Sequence, residues 1–318
     1  MPIWLTIAIA AVASAIMYLA PVIGSVPGVM LATASALPLF LIGLSIGWWP
    51  MAIAAVAGGV VILVTAGWPV GLQYLIGSSL PAAFLAQRAL LARPVGDDPS
   101  SRDLEWYPTG HLVTWVSILP AVGMIAGFVA FLGWEGGPKG AVKVYIDLVM
   151  SLAPAVDVDS VERGAEALET WKAVFLESLP GWAAVVWASL MILNGLTAQW
   201  IVARSGRNIR PTPSMASIKL PQWLMGALAA LLLLSFVTDG TPGYLVDNLI
   251  PIVSLPFFLA GLGLAHALAG HRRGLLVGAY LIALIFPLGQ KLTVVLGFLD
   301  QAFDLRGRLS KLSGNDPD

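Results

Sequence analysis

The sequence predicts an all-α fold, a polytopic helical membrane bundle with eight full spans followed by a broken C-terminal helix or re-entrant hairpin. Three observations predict it. Of 318 residues, 58% are hydrophobic and 11% charged, against roughly 25% charged in a soluble domain. The 17 Lys and Arg with 18 Asp and Glu cannot wrap an apolar core in a hydrated shell. The mean hydropathy is +0.85. Apolar runs recur, bounded by Pro, Gly or charge, at the length needed to cross a hydrocarbon layer about 30 Å thick with a helix rising about 1.5 Å per residue.

In chain order the spans are Ile3–Leu19, Val26–Ile46, Pro50–Ala66, Pro69–Leu91, His111–Leu132, Pro180–Ala203, Pro221–Val237 and Tyr244–Ala269. Pro50, Pro69, Pro180 and Pro221 read as helix starts, where a missing N–H is no loss and the fixed φ suits the first turn. Pro38 interrupts the second span, which predicts a kink or break near Leu37–Pro38, with neighbouring helices satisfying the freed carbonyl. After Arg273, Leu275–Phe286 and Leu292–Phe303 are each short of a span. They make either one long broken helix or a re-entrant hairpin whose turn, Pro287–Lys291, must be buried or line a wet cavity.

The charged residues set the expected orientation. With the N-terminus in the cytoplasm, internal segments hold Arg88, Arg93 and Arg102, then Arg204, Arg207, Arg210 and Lys219, then Arg272 and Arg273. In the external segment Gly133–Leu179, four basic residues are outnumbered by Glu135, Asp147, Asp157, Asp159, Glu162, Glu166, Glu169 and Glu177. Arg306, Arg308 and Lys311 prefer the cytoplasm, which favours the hairpin. No Lys or Arg precedes Arg88, so the first helix reads as an uncleaved span rather than an export signal.

The expected organisation is a four-helix N-terminal membrane subdomain (1–92), a cytoplasmic linker (93–110), the fifth span (111–132), the external segment (133–179), C-terminal membrane helices (180–304) and a basic, then disordered, cytoplasmic tail (305–318). The linker is read from Pro94, Asp97, Asp98 and Pro99. Within the external segment, apolar residues at helical spacing over Ala141–Leu152 and Ser160–Ser178 predict two amphipathic helices on the outer face.

Enzyme signatures are absent: there is no H-E-x-x-H, G-x-S-x-G or G-x-x-x-x-G-K-[ST], and no paired acidic cluster for Mg²⁺. No catalytic residue is assigned. Zero cysteines exclude disulfides, thiolate metal sites and a Cys nucleophile. His111, His266 and His271 read as interfacial anchors, so neither a metal nor a cofactor is expected. A net charge of −1 gives no pull toward nucleic acid. Polar residues inside spans carry more weight, because an unpaired polar group in hydrocarbon costs on the order of a kcal/mol or more. Asn194, Thr197 and Gln199 either hold helices together or face a substrate cavity. Gln290 and Lys291, at the expected hairpin turn, are further cavity candidates, with headgroup snorkelling as the plainer role for Lys291. Ala11 and Ala15 continue a small-residue stripe begun by Ala8, read as internal packing or as a docking face for another membrane subunit. Asp300 and Asp304 share a helix face, with Arg306 following. A carboxylate pairing with Lys291 or a loop arginine would pin the broken helix.

Three stretches carry a resemblance: Ala20–Gly24 with Leu37-Pro38-Leu39, Leu220-Pro221-Gln222-Trp223, and Leu299-Asp300-x-x-Phe303-Asp304-Leu305-Arg306. Together they resemble the YybS-like family of uncharacterised bacterial membrane proteins, with Leu305 where an aromatic is usual. That family is distantly similar to the S components of energy-coupling-factor vitamin transporters and to the cell-shape protein MreD. The resemblance implies a multi-pass protein of the bacterial inner membrane, in contact with the bilayer and of no established activity. It motivates two expectations: small-solute binding and transport energised by a separate ATPase and coupling module, or a non-transporting scaffold among envelope-assembly proteins.

Overall fold

The computed structural model describes residues 2–95, 103–151, 158–269 and 272–312, side chains excepted at 23, 158–168 and 309–312. The chain opens with α1 (Ile3–Leu19), a short 3-10 turn, α2 (Val26–Thr33), α3 (Leu37–Ser45) and α4 (Trp48–Ala66). Next come α5 (Trp68–Tyr74), a π-helical turn (Leu75–Ser79) and α6 (Leu80–Ala89). The strands β1 (Ala92–Pro94) and β2 (Leu104–Trp106) precede α7 (Thr109–Ala130), α8 (Gly137–Ser151) and α9 (Val158–Arg204). The remainder is α10 (Gln222–Leu234), α11 (Gly240–Ala269), α12 (Arg273–Ile285), α13 (Pro287–Phe303) and α14 (Leu305–Leu312). Among the described residues seven segments are long and apolar enough to cross a membrane: α1 with its 3-10 turn, α2–α3, α4, α5–α6, α7, α9 from Glu169 onward, and α11. The bent pair α12–α13 makes an eighth if it is one span. The all-helical, polytopic class is therefore as expected.

By contacts the chain divides into two units. One comprises Met1–Val116 and Ala188–Lys219, the other Ser117–Trp187 and Leu220–Asp318. In the first unit, α1 packs on α4 and α3, and α4 on α5 and α6. The predicted break in the second span is a turn over residues 34–36, where Leu37 N bonds to Ala34 O at 3.0 Å. Thr33 O and Ser35 O thereby lose helical partners. Asn194 Nδ2 donates to Thr33 O at 2.8 Å and Ser14 Oγ to Ser35 O at 2.6 Å, so neighbouring helices satisfy the freed carbonyls. Ser14 also bonds the Tyr74 hydroxyl at 2.7 Å. Tyr74 is fully buried, and Gly58 admits it, since a Cβ there would lie 2.8 Å from its oxygen.

The segment read as a flexible linker begins and ends in paired backbone. Arg93 faces Glu105 across the antiparallel β1–β2 register and bonds it at 2.6 Å; residues 96–102 lie outside the described residues. Both side chains are more than half exposed, so the pair adds little stability.

In the second unit, α11 packs on α13, α10 and α12. Three expectations need correction here. The span predicted over Pro221–Val237 is a helix of 13 residues, about 20 Å long and short of a full crossing. Pro180 does not start a helix but lies inside α9, so the second amphipathic stretch, Ser160–Ser178, runs directly into the sixth span. The turn expected at Pro287–Lys291 is the first turn of α13. The break sits at Phe286, where the axis turns by 112°, and Pro287 opens the new helix because its fixed φ suits that position. The 305–312 portion of the tail is helical, as α14.

The α11–α13 crossing depends on glycine. A Cβ on Gly297 would collide with Phe257 O and stand 2.7 Å from Gly261 N, both backbone atoms that cannot step aside. Gly297→Ala is expected to lower stability by about 1–3 kcal/mol through overpacking. The control Gly278→Ala, inside α12 with a Cβ that meets nothing within 4 Å, should not lower the melting temperature in detergent and should raise it slightly if at all.

Candidate functional site

The second unit contains two adjoining hollows, and α9 lines both. Pro180 has no N–H to give Leu176 O, and a proline inside a helix also disturbs the neighbouring bond between Glu177 O and Gly181 N. Residues of α11 repair the damage. Tyr244 Oη donates to Leu176 O at 2.7 Å, Asn248 Nδ2 to Glu177 O at 2.9 Å, and Gly181 N to Asn248 Oδ1 at 2.8 Å. Tyr244 and Asn248 stand four residues apart, hence on one helix face. Gly181 allows the approach, since a Cβ there would sit 2.8 Å from Asn248 O.

The first hollow is an apolar groove of about 560 Å³ between α7, α8 and α9. Its walls include Pro120, Gly127 and Phe128 of α7, Tyr145 of α8, and Pro180 and Ala184 of α9. Small residues leave the space unfilled; a Cβ on Gly127 would meet nothing within 4 Å. The amphipathic α8 follows a turn through Gly136 and Gly137, both at positive φ, and lays its apolar side along the groove.

The second hollow is a polar niche of about 360 Å³, lined by Lys139, Glu177, Thr238, Asp239, Thr241, Tyr244 and Asp247 among others. Lys139 is ion-paired with Glu177, and its Nζ lies 5.7 Å from the Tyr244 ring centroid. Consecutive residues, Pro138 and Lys139, face the groove and the niche respectively. Phe128 and Tyr244, with ring centroids 5.4 Å apart, form the wall between them. The arrangement offers binding: an apolar slot beside a charged mouth. Among the described residues no group of three His, Asp or Glu is placed to hold a metal ion.

Residues 8–301 match the model of a family described as predicted membrane protein (DUF2232). The chain belongs to that family. No curated protein and no solved structure matches it.

The residues singled out from the sequence of this DUF2232 protein do not meet at one site. Asn194 is buried at the α2–α3 break, bonded to Thr33 O and Leu190 O. Thr197 is exposed. Gln199 is buried, and its Nε2 donates to Arg210 O at 2.9 Å and to Thr212 Oγ1 at 3.3 Å. It steadies a loop whose buried Arg210 donates at 2.9 Å to both Ala89 O and Tyr107 O. Burial pulls the Arg210 guanidinium below its ordinary pKa. Gln290 is half-buried, its Nε2 giving a bond of 3.2 Å to Leu284 O beside the Phe286 break, and Lys291 is exposed with no ion pair among the described residues. Ala11 and Ala15, 2% and 1% exposed, are covered by this chain's own α4 and α5, as internal packing requires.

Asp300 is 3% exposed and pairs with neither Lys291 nor an arginine of a distant loop. Arg306 Nε bonds its Oδ2 at 2.7 Å and Arg306 N its Oδ1 at 3.1 Å. The chain doubles back to do this through Asp304, the one non-glycine residue at positive φ among those described, at 48°. Sequence reasoning missed Tyr244, Asn248, Lys139 and Glu177. The signal for the first two was their spacing of four within a span, and only Pro180 on another helix shows what they are for.

Replacing Arg306 by Ala strips a buried carboxylate of its cation and is expected to cost on the order of 3–5 kcal/mol. Asp304→Ala, at an exposed left-handed position, should cost about 1–2 kcal/mol, and Asp304→Gly less than that. Thermal unfolding in detergent ranks the three; an Asp304→Ala loss larger than that of Arg306→Ala would contradict the assignment.

Proposed function

We propose that this membrane protein binds a small organic molecule with substantial apolar bulk in the α7–α8–α9 groove, as a non-enzymatic, transport-related component of the bacterial inner membrane. The observation that carries the reading is the groove itself, in the range of volumes that hold small ligands and lined almost wholly by apolar side chains. The substrate is thereby drawn from the bilayer rather than from water. No nucleotide-binding motif occurs in the sequence, so energy input comes from a separate ATPase and coupling module. The N-terminus is cytoplasmic in this reading, supported by the arginines of the 88–102 and 204–219 segments. The bond from Leu220 N to Gln301 Oε1, at 2.7 Å, is consistent with the end of α13 sharing that face. The likeness to YybS-like proteins, and through them to S components, belongs to the same proposal.

A second reading has its own support. Val144, Leu148, Trp171 and Phe175 are each about half exposed on α8 and the early part of α9, a surface suited to docking other proteins. It makes the chain a scaffold in envelope assembly, as MreD is.

Two measurements separate these readings. Ala184→Trp fills the groove, and it should weaken binding of a fluorescent apolar probe to the purified protein at least about tenfold with the melting temperature preserved; undiminished binding sinks the groove reading. A mild-detergent pull-down with mass spectrometry should recover an ATPase with its coupling subunit, whereas recovery of envelope-assembly proteins alone favours the scaffold.

A further inference from the structure

We propose that the occupant of the groove is a zwitterionic phospholipid with a primary ammonium headgroup, its acyl chain in the apolar slot and its head in the adjoining niche. The inference rests on the groove being a binding site, and names what fills it.

Length comes first. The wall of the groove runs along α7 from Pro120 to Phe131, the residue just past its end, about 16 Å at the helical rise and half of a hydrocarbon layer. An acyl chain of one leaflet needs that depth. The groove is also open along one side, as a tethered chain entering from the bilayer requires, and its lining offers an acyl chain apolar contact along its length.

The head follows from the niche, which begins where the groove ends, at Lys139 beside Pro138 and at Glu177 two residues from Leu179. Its charged groups are one lysine and three carboxylates, Glu177, Asp239 and Asp247. Glu177 answers Lys139, while Asp239 and Asp247 make no ion pair among the described residues. The formal charge left in the niche after that pair is negative, which suits a cation. Carboxylates bind an N–H donor through charge-assisted hydrogen bonds, which a primary ammonium supplies and a quaternary one does not. Quaternary ammonium is instead held on aromatic faces, and the Tyr244 ring already carries Lys139 Nζ. Lys139, at the junction of the two hollows, meets the phosphate that links head to tail.

Full-length protein, delipidated in detergent, is offered ethanolamine, choline and glycerol phospholipids of identical acyl composition, and retained lipid is read by native mass spectrometry. The ethanolamine lipid should be retained about tenfold over the glycerol lipid. Asp239→Asn with Asp247→Asn, at exposed positions where folding is undisturbed, should abolish that preference while total retention persists. Ala184→Trp should abolish retention of all three. Equal retention of the three parent complexes, or a preference that survives the double substitution, overturns the headgroup assignment and leaves the groove intact. Undiminished retention in Ala184→Trp overturns the groove reading itself.

Discussion

A backbone carbonyl or N–H buried without a partner costs on the order of several kcal/mol, and this protein breaks its helices repeatedly. Each break therefore needs a polar side chain from another helix at the right height. At the turn between α2 and α3 those side chains are Ser14 and Asn194. At Pro180 they are Tyr244 and Asn248. Tyr244 and Asn248 lie within a helix that is otherwise largely apolar, and their burial follows from the partners they serve. The polar residues of the spans are thus spent on the backbone, which is why most of them do not line a cavity.

The same repairs shape the space between helices. Tyr244 and Asn248 draw the Pro180 region of α9 against α11, closely enough that residue 181 must be glycine. Small residues at Gly127 and Ala184 leave the gap on the other side of α9 open. The groove runs beside the α9 segment that this repair holds. Its charged mouth lies at the same repair, because Glu177 and Tyr244 belong to the elements that the repair joins. The α11–α13 crossing uses glycine to the same end, bringing backbones together where packing rather than hydrophobic burial drives association.

Proline was legible as a breaker throughout but not as a particular kind of breaker. Pro50 and Pro69 fall in the first turns of α4 and α5, and Pro221 caps α10, as a sequence reading expects. Pro180 has similar apolar residues after it and yet lies within a 47-residue helix, because partners elsewhere in the chain supply the hydrogen bonds it displaces. Asp300 shows the same limit. Its burial next to a basic tail was foreseeable, but the cation is six residues away, reached through a left-handed turn at Asp304 that spacing along a helix does not suggest.

Composition and the lengths of the apolar runs were enough to establish the solvent, the helical class, seven of the spans and the bent C-terminal pair. These depend on transfer free energies that add residue by residue along the chain. The groove, its mouth and the roles of Tyr244, Asn248 and Gly181 emerged only in three dimensions. They depend on which helix stands opposite each break, and hydrogen bonds between residues some 70 positions apart, such as that from Asn248 to Glu177, leave no local trace in the pattern.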